Sequence, residues 1–135
     1  MLDQDVKYLK FKTYLNSYCP HCHESFNVEK KEVKQIEFKS KYKGEEVDLI
    51  LSPYLDVFEV EASVPIEEGD LVDDIMCPHC NKSLIHKDIS CGECSSPVAE
   101  VIVSAASKLI PFYLCSKHGC EWHGLTKRDE RLIKL

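Results

Sequence analysis

Cys19-Pro20-His21-Cys22, Cys77-Pro78-His79-Cys80 and Cys91-Gly92-Glu93-Cys94 each place two thiols two residues apart, and Cys115 with Cys120 makes a wider fourth pair. The eight cysteines of the chain are all used in these pairs. A two-residue gap lets one tight turn aim two thiolates at one ion, while its backbone N–H groups offset their charge. Two such turns close a tetrahedral site of four sulfurs, the usual arrangement of structural zinc. Eight ligands therefore imply two Zn2+ per chain. Iron suits the same sulfur set, and spacing alone does not separate the two metals.

Three groupings of the pairs are open. The sequential one joins Cys19, Cys22, Cys77 and Cys80 in one site and Cys91, Cys94, Cys115 and Cys120 in a second. It is preferred, because two near-identical knuckles would face each other, and the 20 residues between Cys94 and Cys115 read as a hairpin. A nested grouping joins Cys77, Cys80, Cys91 and Cys94 across ten residues. A cross-braced grouping is the third. His118 and His123 also stand two residues from Cys115 and Cys120, so either is an alternative ligand. With the cysteines as ligands, His118 becomes a solvated turn residue, and His123 a supporting group beside a site covered by Trp122. His21 and His79, inside their knuckles, are expected to face solvent.

Composition narrows the setting. Met1-Leu2-Asp3-Gln4-Asp5 has neither the basic start nor the apolar stretch of a secretory signal, and no apolar run is long enough to span a bilayer. A cytoplasmic protein with reduced thiols is expected, which places metal ligation ahead of disulfides. The formal net charge is -6, and it is segregated. Residues 1–90 carry 11 Lys/Arg against 18 Asp/Glu, whereas 91–135 carry 6 against 5. Residues 30–43 hold six lysines, and residues 44–81 hold eleven acids with no Lys or Arg. Two solvated strands with Lys opposite Glu explain this pattern. The acidic stretch 44–76 is also a candidate docking face for a basic protein partner. The net charge disfavours nucleic acid, which needs a basic stripe.

The elements that must position the cysteines are mostly strands. Residues 6–18 fit either a helical stripe (Tyr8, Phe11, Leu15, Tyr18) or a strand leading into the first knuckle (Leu9, Phe11, Thr13, Leu15), and the strand is preferred; 33–39 and 47–51 form two more around the Lys43-Gly44 turn. Residues 57–62 alternate, with Phe58, Val60 and Ala62 on one side and Glu59 and Glu61 on the other. The 54 residues between Cys22 and Cys77 are too many for a simple loop and predict a strand-rich insertion, about 27–74, with its own small sheet. Residues 81–90 are polar enough to be a linker. Val98–Val103 and Leu109–Leu114 read as a hairpin delivering Cys115. Thr126-Lys127-Arg128-Asp129 predicts a capped short C-terminal helix through Leu132 and Ile133. Beyond the repeated knuckle, no internal repeat is visible. The expected architecture is mostly β in two lobes: 1–85 with the insertion, and 86–135 with the helix.

The knuckles, with Phe26 and Leu84 following the first two, resemble those of the zinc-ribbon and rubredoxin-like superfamily, and Cys91–Gly124 resembles a second ribbon. The chain has His23, Asn81 and Ser95 where that superfamily usually has a glycine after the second cysteine. The resemblance implies two zinc-ribbon-like lobes with structural metal, and members range across transcription, translation, electron transfer and enzyme subunits. Three functions follow as expectations. The first is a non-catalytic zinc-binding protein, a structural or accessory subunit acting by protein–protein contact. The second is a nucleic-acid-associated zinc ribbon, resting on 30–43 and the basic tail. The third is a redox protein, either a rubredoxin-like iron electron carrier or a CPHC dithiol, whose first cysteine would need a helix N-terminus and a lowered pKa. No G-x-S-x-G, H-E-x-x-H or glycine-rich phosphate loop points to catalysis.

Overall fold

The computed structural model describes residues 9–10, 14–55, 57–105, 108–125 and 133–134. Among these the chain is strand and turn, with no helix. Two sheets of five strands each are antiparallel throughout. In the first, β9 (Pro97–Ala105) is central, with β10 (Lys108–Cys115) and then β11 (His123–Gly124) on one side. Its other side is shared end to end by β8 (Ile85–Ser90) and β2 (Asn16–Tyr18). In the second, β4 (Val33–Tyr42) is central, with β5 (Glu45–Leu51) and β6 (Val60–Ala62) on one side. Its other side is shared by β3 (Asn27–Lys30) and β7 (Asp74–Met76). The expected insertion is thus a sheet of its own. β2, from the N-terminal part, lies in the sheet of β8–β11. A short parallel pair joins β1 (Leu9–Lys10) to β12 (Ile133–Lys134).

The two sheets are copies of one plan, so the expectation of no repeat beyond the knuckle is corrected. A shift of 58 residues carries Cys19 onto Cys77 and β2 onto β7. A shift of 63 carries the pair Ile36↔Leu51 onto Ala99↔Leu114, Tyr42↔Glu45 onto Ala105↔Lys108, and Leu51↔Val60 onto Leu114↔His123. The pairs Lys39↔Met76 and Lys41↔Asp74 correspond in the same way to Ile102↔Tyr18 and Ser104↔Asn16. The five extra residues of the second repeat, the difference between 63 and 58, fall between β8 and β9, where Cys91–Cys94 replaces the Lys31-Glu32 turn. Each sheet borrows the strand that precedes the other sheet's knuckle, so the repeats interlock about a pseudo-two-fold axis.

Alternation builds the core. Ile36, Phe38, Val47 and Leu49 are buried in the second sheet, and Ala99, Val101, Ile110 and Phe112 at the equivalent places in the first. These side chains belong to one cluster with Phe26, Leu55 and Leu84, so a single core joins the repeats. Lysines and acids meet on the second sheet as the sequence suggests: Lys39 lies 3.5 Å from Glu46 across β4 and β5, and Lys30 lies 3.1 Å from Glu37.

One expectation is corrected and another lies mostly outside the described residues. The polar stretch 81–90 is no linker, because Ile85–Ser90 is strand β8; as a side strand it buries little, and polar residues suit it. The capping box and most of the expected C-terminal helix fall on 126–132, outside the described residues, while Ile133 is in a strand.

Both β-hairpins of the second sheet close through two residues with positive φ: Lys43 (51°) with Gly44 (80°), and Lys31 (49°) with Glu32 (67°). That geometry matches the twist of the strands but strains residues with a Cβ. Replacing Lys31-Glu32 with Asn-Gly should stabilise the protein by about 1 kcal/mol, read as a higher midpoint in chemical denaturation.

Candidate metal centres

Each of the first three knuckles is the same small hydrogen-bonded loop. The N–H of the first cysteine reaches the carbonyl five residues on: Cys19 to Glu24 at 2.9 Å, Cys77 to Lys82 at 3.1 Å, Cys91 to Ser96 at 2.9 Å. The residue after the second cysteine donates back to the first cysteine's carbonyl, and it must turn left-handed to do so. His23, Asn81 and Ser95 hold φ of 66°, 62° and 63°. These are the positions where a glycine was expected from the resemblance, and the backbone keeps the glycine-like conformation without it. The turn then points N–H groups at sulfur: His21 and Cys22 at Cys19 Sγ (3.3 and 3.4 Å), His79 at Cys77 Sγ (3.3 Å), Glu93 at Cys91 Sγ (3.3 Å).

The folded chain gathers Cys19, Cys22, Cys77 and Cys80 in one cluster, and Cys91, Cys94, Cys115 and Cys120 in another. Within each, all sulfurs lie within 4.8 Å of one another. The shorter separations are Cys19–Cys80 3.8 Å, Cys22–Cys77 3.7 Å, Cys91–Cys120 3.7 Å and Cys94–Cys115 3.5 Å. None is a disulfide. A regular tetrahedron with metal–sulfur bonds of about 2.3 Å has sulfur–sulfur edges of about 3.8 Å, so each cluster is sized for one ion. Soft thiolates, fixed N–H donors to sulfur and four ligands all fit a structural metal.

Cluster one sits on the pseudo-two-fold axis and takes two ligands from each repeat. The symmetry extends to the histidines. His21 Nε2 lies 3.0 Å from the Ser83 carbonyl, and His79 Nε2 lies 3.1 Å from the Ser25 carbonyl. Both residues are exposed, as expected, and each ring is in addition tied to the opposite knuckle. Asn27 adds a brace: its carbonyl accepts from Ser17 N at 2.7 Å, and its amide donates to Tyr14 Oη and the Leu15 carbonyl, both at 2.9 Å. Burial pushes the Cys19 thiol up and the Cys77 thiol to about 12, whereas the Lys82 N–H lowers Cys80.

Cluster two lies within the second repeat. Burial raises Cys115 and brings Cys120 to about 11; the Ser96 hydroxyl, 3.2 Å from Cys94 Sγ, lowers Cys94 to about 6. Trp122 packs on this cluster with Val98 and Tyr113. It needs two glycines beneath it, since a Cβ would lie 2.8 Å from the indole at Gly92 and 2.1 Å at Gly124. That seat was invisible in the sequence, which shows neither that Gly92 and Gly124 come together nor that an indole lies over both.

Neither His118 nor His123 belongs to a cluster. His118 is half-buried, its N–H donating to the Asp70 carbonyl at 2.8 Å and its carbonyl accepting from Gly69 at 2.8 Å. The His123 ring is tilted against Phe58 (4.4 Å between centroids) and Phe112 (5.0 Å). Burial lowers its pKa to about 4 from 6.5. The neutral ring is favoured by the fold, so stability is full above pH 6.5 and falls as pH drops from 6.5 toward 4. The whole loss is about 3 kcal/mol. His123→Phe keeps the ring contacts and removes the proton. The stability of the wild-type chain relative to this variant should fall by that amount between pH 7 and pH 4, in denaturation curves at fixed metal concentration.

The fold and the clusters define a mostly β protein of two interlocked sheets with two four-cysteine groups, each able to hold a metal ion. Comparison with protein-family models, curated proteins and solved structures returned no match.

Proposed function

We propose that the chain is a non-catalytic zinc protein of the zinc-ribbon kind, a cytoplasmic structural or accessory subunit that works by contact with another protein. The closure of both clusters carries this reading. Four thiols surround each ion position, which leaves none for a reacting water, so the ion's work is folding. Cluster one would tie the repeats together across their axis, and cluster two would hold the 115–122 loop on β9 and β10. The acidic stretch 44–76 supplies the surface for a partner. Among the described residues, no helix is long and apolar enough to cross a membrane.

The other readings lose ground on specific observations. Two lysines of the 30–43 stretch are paired with Glu37 and Glu46, which weakens a phosphate-binding stripe. No described helix follows either CPHC motif, and burial raises Cys19 and Cys77 where a reactive dithiol needs its first thiol lowered. Native mass spectrometry with elemental analysis, on chain purified without added metal, tests the proposal. Two zinc ions per chain and a retained protein partner are expected. Iron, or metal-free chain with oxidised CPHC pairs, overturns the metal assignment. A zinc-loaded monomer with no partner overturns the subunit assignment.

A further inference from the structure

The pseudo-symmetry gives a second use to the outer face of the second sheet. A groove of about 210 Å³ lies there, lined by Gln35, Ile50, Ser52, Val57, Glu59 and Glu61 among others. The shift of 63 residues carries these six positions onto Val98, Tyr113, Cys115, Cys120, Trp122 and Gly124. Those are the residues that build cluster two and seat the Trp122 indole over it. The groove is therefore the place that the other repeat fills with an indole and a four-cysteine cluster. In the first repeat, Ser52 and Val57 stand for the two cysteines, and Glu59 stands for the tryptophan. The sheet part of the frame is kept, whereas Cys91, Gly92 and Cys94 belong to the inserted loop and have no counterpart there.

We propose that this groove is a docking site for an aromatic side chain of tryptophan type, carried by a basic segment of a protein partner. The inference rests on the subunit reading above and names the surface and the chemistry of the contact. Size permits it, since a cavity of about 150 Å³ already takes a benzene ring. Shape favours it, because the sheet register around the groove is that of the Trp122 seat. Charge selects the flanks: Glu59 and Glu61 are both exposed at the groove. Lys34 also lines the groove, so the net lining charge is -1; its ammonium is engaged 5.2 Å from the Tyr14 ring centroid. The same two glutamates oppose a second copy of this edge, since like charges would meet across the pair.

The probe is acetyl-Lys-Trp-Lys-amide, followed by methyl and amide NMR shifts on the full, metal-loaded chain. The peptide should move the signals of Val33, Ile50 and Val57 saturably. Replacing its tryptophan with alanine should weaken binding at least ~10-fold, as loss of a buried aromatic anchor does. Glu61→Lys, at an exposed position, should weaken it ~10-fold and reduce its salt dependence. The double change Glu59→Trp with Glu61→Gly places an indole and the Gly124 half of its seat at the equivalent positions of the first repeat. It should fill the groove from within, abolish peptide binding and raise the melting temperature. Shifts confined to other surfaces, equal binding of the alanine peptide, or undiminished binding by the groove-filled variant would overturn the docking site. A dimer that buries β6 in sedimentation would overturn it too, by showing the occupant to be a second copy. These results leave the subunit reading standing, because that reading is decided by the partner retained in native mass spectrometry.

Discussion

Cys77→Ser should lose the ion of cluster one and unfold the protein at room temperature. Cys77 is fully buried, and its sulfur lies 3.7 Å from Cys22 across the pseudo-two-fold axis. A serine hydroxyl is a poor ligand for a soft metal, and three remaining thiolates would keep their mutual repulsion with less to offset it. Structural zinc contributes on the order of 10–16 kcal/mol in finger peptides, against a total stability of about 5–15 kcal/mol for a typical domain. Losing cluster one therefore removes as much as the whole fold has to spare. Cys91→Ser should behave differently. Cluster two belongs to one repeat, so this variant should also lose one ion, yet keep a cooperative transition and loosen chiefly the 115–122 loop. Elemental analysis gives the ion count, circular dichroism the melting, and amide exchange the region that opens. Were Cys77→Ser to retain two ions and its melting curve, cluster one would not be a metal site.

The cysteine spacing made the eight candidate ligands legible, because tight turns leave few ways to aim two thiols at one point. The strands were legible wherever burial alternates on a half-exposed sheet, as at Val98–Val103 and at Ile36 and Phe38. The duplication was not, for a physical reason. What the repeats share is register and an alternation of buried positions, and many side chains satisfy that: Phe38 corresponds to Val101, and Ser40 to Val103. The insertion of Cys91–Cys94 then breaks the offset between 58 and 63, so no single shift aligns the halves. β8 was hidden because a side strand needs hydrogen bonds from β9 more than apolar residues of its own. The reach of His21 and His79 across the axis was hidden because it exists only once the two knuckles face each other.

Phe26→Ala should cost about 3–5 kcal/mol and Leu84→Ala about 2–5 kcal/mol, with both ions retained. The two residues are equivalents, each seven positions after the first cysteine of its knuckle, and they are 1% and 2% exposed. Their backbones make equivalent bonds. Phe26 N donates to Ser17 in the first sheet at 2.9 Å, and its carbonyl accepts from Glu37 in the second at 3.1 Å. Leu84 does the same with Ile75 and Glu100, both at 2.7 Å, with the sheets exchanged. Each side chain thus fills the core at a point where both sheets converge, and the Phe26 ring lies 4.7 Å from that of Phe38. Truncation leaves a cavity that neither sheet can close without breaking its register with the other, which puts the expected cost toward the upper end of these ranges. Chemical denaturation of the metal-loaded variants measures the loss. A cost below about 1 kcal/mol for Phe26→Ala would mean that the ions alone hold the repeats together and that the shared core adds little. Losses of the expected size at unchanged metal content would mean that the two repeats are joined twice, once by sulfur and once by packing.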